Sequence, residues 1–307
     1  PLLLSSAASD VYKRQRLGYW LFRSMGVPAP RSVHAQLKIN GTYFGLYALT
    51  EQIDGNFARH NFDESNGNLY KEVWPITQKG EPQDSKVLLK GLKTNKKNNP
   101  NLELIKRFGD LIATSDSIES RKIFSDFMHL NQMISYAVVD RAIRNDDGVL
   151  HWYTDRKESS NHNYYWYEEP NKKKIHLIPW DLDSAFENLT ATNPITYIPD
   201  KWGEVSNDCK PYPYGDWKIY QRSASCDKII KVWNSYKDEY KELRNKLRAS
   251  YVDEANNLID EWSLQIEEAT LEASRAHDDA LTIKKWKRNV GIMKAQIFRM
   301  KMSLSDQ

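Results

Sequence analysis

The chain has 307 residues, of which 40% are hydrophobic and 28% charged, and a formal net charge of +3. That balance excludes a disordered chain, and so small a net charge argues against nucleic acid or an anionic membrane as a partner. Length suits one large domain or two small ones, and no apolar run reaches the roughly 18–20 residues of a membrane span.

Residues 1–15 do not match the rest of the chain in character. They resemble translated adapter read-through at the end of an environmental sequence assembly, with a native terminal tail as the alternative, and are excluded from fold reasoning. On the adapter reading the native N-terminus is missing. Arg16 to Met25 predicts a helix, with Leu17, Trp20, Leu21 and Met25 on one stripe and Gly26 and Pro28 ending it. Val33 to Ile39 alternates, placing Val33, Ala35, Leu37 and Ile39 on one face. Asn40-Gly41 is a hairpin turn, and Tyr43 to Thr50 returns as a second strand ending at Glu51. Asp54 to His60 reads as a short helix, and Leu69 to Val73 as a third strand. Lys71 sits within that strand, so a partner or bound anion is expected unless it points to water from an edge. Trp74 to Pro100 is polar and reads as a surface excursion.

Helices are expected over Asn101–Ala113, Ser117–Leu130 and Asn131–Ile143. Ser117 is a plausible start for the second without a full capping box. The third runs into Arg144-Asn145-Asp146-Asp147-Gly148. Next comes the run that organises the chain. Residues 163–169 are aromatic-rich, Pro170-Asn171 signals a turn, and residues 174–180 return as a second strand. Such a hairpin brings its open ends together, with Asn163 on one side and Asp181 and Asp183 on the other. An amide oxygen and carboxylates converging there suit Mg²⁺ or Mn²⁺. Asp183 is either a second ligand or a cap over Ser184–Asn188. Leu189 to Cys226 lacks periodicity, and Cys209 and Cys226 fit a disulfide or two free thiols equally. Three amphipathic helical runs complete the chain, beginning near Ile229, Val252 and Ala280. The seven histidines show no zinc-site spacing, and His162 reads as structural.

The words Asn-Tyr-Tyr-x-Tyr and Ile-Pro-Trp-Asp-Leu-Asp-Ser-Ala-Phe resemble the spore-coat protein H (CotH) kinase family of atypical protein kinases. So does the run from Ile39 to Asp54 followed by Gly67 to Lys71. The resemblance covers residues 16–307. It implies an α+β, protein-kinase-like two-lobed fold, with a small sheet-containing lobe (16–100, truncated) and a mainly helical lobe (101–307). It further implies transfer of the ATP γ-phosphoryl group to Ser or Thr of a protein substrate. Lys71 would contact nucleotide phosphate, with Glu51 a candidate to hold it. Asp147 would orient the attacking hydroxyl, and Asn163 and Asp181, with Asp183, would hold the metal. Gly41 and Gly45 could let backbone approach phosphate, although the pattern is not Gly-x-Gly-x-x-Gly and suits a plain hairpin. An extracytoplasmic or spore-surface location is implied by the resemblance alone.

One departure stands out. In kinases the Asn lies five residues after the catalytic Asp, whereas Asn163 lies 16 after Asp147. Val149–His162 therefore reads as an insertion, leaving Asp140, Asp146 and Asp155 as rivals for the catalytic role. Two other functions stay open at this level. One is a degenerate kinase-like binding or adhesion module. The other is a glycoside hydrolase using Asp147 and Asp181 as its carboxylate pair, which the 12% aromatic content would suit.

Overall fold

The computed structural model describes residues 3–5, 9–97, 100–155, 158–189, 202–204, 208–214, 219–278 and 280–305; of 3–5 and 9–13 only the backbone is described. Strand β1 (Leu3–Ser5) is followed by helix α1 (Ser9–Ser24), which starts seven residues before the expected Arg16. The helix stops where Gly26 and Pro28 predict. Gly26 takes φ +79° and Val27 N–H reaches back to Phe22 O, closing the helix with a left-handed cap. Leu17, Leu21 and Phe22 are fully buried.

Strands β2 (Ser32–Ile39) and β3 (Thr42–Thr50) form the expected ribbon, turned by Asn40 and Gly41 at positive φ. β1 pairs on the other edge of β3. The apolar face of the ribbon is its outer one: Val33 and Ile39 are each 46% exposed. On the opposite face polar alternates reach charged helix residues, Gln36 remaining exposed. Arg16 Nη1 lies 2.8 Å from His34 Nδ1, and Gln36 Nε2 donates to Glu272 at 2.9 Å. Leu46, opposite Gln36 in the register, packs with Ile266 and Trp286.

Helix α2 (Gly55–Asn61) is capped by the Asp54 carboxylate. Strand β4 (Leu69–Lys71) stops at Glu72, whose φ of +52° breaks the extended chain. The expected surface excursion over 74–100 is corrected: helix α3 (Ser85–Gly91) lies within it, and Trp74, Ile76, Leu88 and Leu92 enter the main core. Its apolar residues are spaced singly among polar ones, so no period reveals them.

Helices α4 (Glu103–Thr114), α5 (Ser117–Phe127) and α6 (Leu130–Ala142) match the sequence reading within a few residues. The cap of α5 lies one residue earlier than expected. Asp116 accepts from the Ile118 and Glu119 amides while the Glu119 side chain returns to the Asp116 amide, a complete capping box. The expected insertion contains strands β5 (Trp152–Asp155) and β6 (Glu158–Ser160).

The hairpin forms as read, with β7 (Tyr164–Glu169) paired to β8 (Lys174–Pro179) from Tyr164↔Pro179 to Glu169↔Lys174. β4 pairs with β7, so residues on both sides of position 100 share one sheet, β4-β7-β8. Gly67 is required there, since a Cβ would lie 1.7 Å from the Glu168 carbonyl oxygen. Strands β9 (Tyr212–Tyr214) and β10 (Ile219–Arg222) complete the sheet β6-β5-β10-β9. Cys209 and Cys226 are joined as a disulfide. The C-terminal helices are α7 (Lys228–Trp233), α8 (Lys237–Ser250), α9 (Val252–Ala276) and α10 (Ile283–Ser303). The first expected run is thus two helices, broken at Asn234–Tyr236. The architecture is α+β, with three small antiparallel sheets among the described residues and one main core drawing residues from Leu17 to Leu304.

Candidate active site

The hairpin sets the geometry because both its faces are buried. Tyr164, Trp166, Ile175 and Leu177 belong to the main core, and Tyr165, Tyr167 and Ile178 to a second cluster with Ile53 and Phe57. A one-residue slip would exchange these two sets, so the register is tightly specified. It leaves Asn163 just before β7 and Asp181 just after Trp180, whose amide donates to Asn163 O at 3.0 Å. Both residues leave the strands at positive φ, +59° and +45°.

Asp147 meets this mouth directly. Asn163 Nδ2 donates to Asp147 Oδ2 at 2.8 Å and to its carbonyl oxygen at 3.0 Å. Among the described residues no donor reaches the Asn163 amide oxygen. Tyr153 OH donates to Asp147 Oδ1 at 2.8 Å. Tyr153 lies on β5, inside the expected insertion. The added residues therefore loop out as a strand pair and return Asn163 to Asp147.

Two of the rivals are tied up in ion pairs, and the third, Asp155, shares a cavity with Asp147. Asp140 is fully buried and paired with Arg141 Nη2 at 2.7 Å and Asn145 Nδ2 at 2.9 Å. Asp146 is held by His151 at 2.9 Å and Arg144 at 3.2 Å, with Asn188 Nδ2 donating at 2.5 Å. Burial opposes its charge, yet His151, Arg144 and Arg141 outweigh that and hold its carboxyl well below the usual range. This pair of aspartates anchors the loop that carries Asp147. Asp155 lines an open cavity of about 600 Å³ together with Asp147, Tyr153, His162, Asn163 and Tyr214. His162, expected to be structural, faces this cavity with its ring 5.4 Å from that of Tyr153.

Burial raises the Asp147 carboxyl, and the Tyr153 donor and His162 offset part of that rise. Asp181 is pushed up to about 6, first by burial, then by Asp183 and Asp147, against the pull of Lys71 and of Gln15, which donates to it at 3.1 Å. These couplings place Asp147, Asp181, Asp183 and Lys71 within one electrostatic neighbourhood. Asp183 accepts from Ser184 Oγ at 3.3 Å; Ser184–Asn188 forms turns and the start of a 3-10 turn rather than the expected α-helix.

Lys71 is partly exposed, and its Nζ lies 3.9 Å from Glu72 Oε1. Glu51 does not hold it: Arg31 grips the Glu51 carboxylate with Nη2 at 2.6 Å and Nε at 3.1 Å. The expectation for Glu51 is therefore corrected to Glu72, which the left-handed turn after β4 swings toward the hairpin. Glu72 Oε1 also accepts from the Asn163 amide at 3.1 Å. Nothing in the sequence marks Tyr153, whereas Glu72 stands beside Lys71 at a strand end.

Asn163, Asp181 and Asp183 offer only oxygen ligands, and the three half-buried carboxylates of Asp147, Asp181 and Asp183 raise the local negative charge, a chemistry that fits a hard divalent ion such as Mg²⁺ or Mn²⁺. Among the described residues no helix is long and apolar enough to cross a membrane. No curated protein matches the chain in a sequence comparison. The family described as CotH kinase protein matches residues 2–301, nearly the whole length. With that match and the kinase-like arrangement of loop, hairpin and carboxylates around one mouth, the chain belongs to the CotH kinase family.

Proposed function

We propose that this protein transfers the γ-phosphoryl group of ATP to Ser or Thr hydroxyls of a protein substrate in a metal-dependent reaction. The observation that carries the reading is the meeting of Asp147 and Asn163 at 2.8 Å across the hairpin mouth that also ends in Asp181. Asp147, held at both oxygens by Tyr153 and Asn163, orients the acceptor hydroxyl and takes its proton. The raised proton affinity of its half-buried carboxyl suits that task. The cavity bounded by Tyr153, His162 and Tyr214 admits the acceptor side chain. Lys71, braced by Glu72, faces nucleotide phosphate, and the exposed apolar face of the β2–β3 ribbon covers the base. Asn163, Asp181 and Asp183 would hold the metal, which when bound neutralises charge on the phosphates. Because phosphoryl transfer asks little covalent help of the protein, fixed positions and charges supply most of the rate. The Cys209–Cys226 disulfide supports a site of action outside the reducing cytosol.

The test is incorporation of labelled phosphate from ATP, with Mn²⁺ or Mg²⁺, into the protein itself and into a Ser-rich acceptor. Wild type is expected to incorporate label only with metal, and Asp181→Ala to lose at least about a hundredfold in rate. Metal-dependent ATP binding without transfer would favour a binding module instead, and neither binding nor transfer would overturn the kinase reading.

A further inference from the structure

His129 is distant in sequence from Glu169 and His176, which face each other across one hairpin, yet each of the three offers a ligand atom within 4.8 Å of the others. His129 directly precedes α6, Glu169 ends β7, and His176 lies on β8. His176 Nδ1 is 2.8 Å from Gln132 Oε1, and Nε2 is 2.8 Å from Glu169 Oε2. A neutral imidazole has one N–H and can donate to only one of two acceptors. Gln132 Nε2 donates to Gly26 O at 3.4 Å, which turns its carbonyl oxygen toward Nδ1. In the tautomer that donates Nδ1–H to Gln132, the Nε2 lone pair faces a carboxylate oxygen. Two acceptors at 2.8 Å call for a cation. That cation is either a second ring proton, giving an imidazolium paired with Glu169, or a metal ion that His129 can also ligate.

The surroundings have the form of a built ligand set. A ring N–H held by an amide carbonyl is the outer-shell support that orients metal-binding histidines. Glu169 Oε1 is occupied separately, 3.3 Å from Lys172 Nζ, which leaves Oε2 for His176. Lys172 is shared between Glu169 and Asp63, the latter at 2.6 Å, and Lys174 Nζ donates to the Ser125, Asp126 and Met128 carbonyls. Phe62 packs on one side of the His176 ring at 4.7 Å, and His129 stands on another at 5.1 Å between centroids. His129 is exposed, giving an ion a path from solvent.

We propose that His129, Glu169 and His176 bind one divalent ion of the zinc class as a structural site separate from the catalytic mouth. Two imidazoles and one carboxylate select a borderline transition ion, whereas the all-oxygen set at Asn163, Asp181 and Asp183 selects Mg²⁺ or Mn²⁺. The ion would staple the start of α6 to the turn end of the hairpin. The far ends of these same elements lead to Asp147, Asn163 and Asp181, about 20 Å away along the 13-residue helix. The inference stands on geometry alone and does not depend on the kinase reading.

The untagged full chain, stripped with chelator and dialysed, is titrated with Zn²⁺ by calorimetry and followed by thermal melting, and separately with Co²⁺ by visible absorption. Wild type is expected to bind one Zn²⁺ per chain, to melt at higher temperature with Zn²⁺ but not with Mg²⁺ alone, and to give a Co²⁺ ligand-field band. His129→Ala removes an exposed ligand, so its metal-free melting should equal that of stripped wild type while its Zn²⁺ affinity falls at least tenfold. Gln132→Ala should weaken Zn²⁺ by about 10–100-fold through loss of ring orientation. Equal Zn²⁺ affinity in wild type and His129→Ala, or no stoichiometric Zn²⁺ in wild type, would overturn the proposal.

Discussion

Glu168, on β7, occupies a position where a charge has almost no compensation. Its carboxyl is 3% exposed and accepts from the Ile105 amide at 2.9 Å and Tyr70 OH at 3.2 Å. Burial pushes it up to about 7, the donors offsetting only part of the shift. The folded state therefore holds a proton that the unfolded chain releases near its ordinary value of 4.5. The stabilisation this gives is complete below pH 4.5 and is lost as pH rises toward 7, on the order of 3 kcal/mol in total. Glu168→Gln keeps the shape without the titration. Urea unfolding should find the variant more stable than wild type at pH 8, with the gap closing at pH 4.5; parallel pH profiles would refute this. At this scale Asn163 and Asp181 were legible, because a hairpin's ends are set by its strands and turn. Tyr153 was not, since its contact with Asp147 depends on how β5 pairs with β10.

Among elements, the β7–β8 hairpin and helices α4 to α6 were readable because aromatic runs, turn residues and 3.6-residue stripes act locally. The 74–100 stretch was not, because its buried residues answer to neighbours distant in sequence. The capping box of α5 is present in the sequence as Asp116 and Glu119, one position before the start that Ser117 suggests. The disulfide links the residue before the β9 region to the turn before α7, closing a sequence separation of 17. β9 and β10 bear Tyr214 and Ile219 on the cavity wall. Closing a loop of that size contributes about 3 kcal/mol in the chain-entropy account. The double variant Cys209→Ser, Cys226→Ser should lower unfolding stability by about that amount, and reduced wild type should match it. Unchanged denaturation midpoints in both would show that the crosslink does not constrain the unfolded chain appreciably.

The whole molecule is tied together at Trp74. Its ring lies 5.3–5.6 Å from those of Trp152, Tyr164 and Trp166, and its Nε1 donates to the buried Asp227 at 3.0 Å. One side chain thus joins the end of β4, the inserted strand β5, the β7–β8 hairpin and the cap of α7. Trp74→Ala should cost about 3–5 kcal/mol from lost packing, with a further penalty for removing a donor from Asp227. Denaturant unfolding read by far-ultraviolet dichroism and by fluorescence should shift together, because all of these elements share one core. Separate shifts in the two probes would show the core to be divided.

By itself the sequence determined the α+β class, the hairpin with Asn163 and Asp181 at its two open ends, most helices, and the family's characteristic words. Each depends on residues within about a dozen positions, where turn chemistry, side-chain period and backbone sterics decide the outcome. Only the tertiary structure decided which aspartate meets Asn163, that the cysteines pair, that Arg31 takes Glu51, and that His129 joins Glu169 and His176. Those outcomes depend on separate chain segments meeting in space, and no local pattern encodes a distance between them.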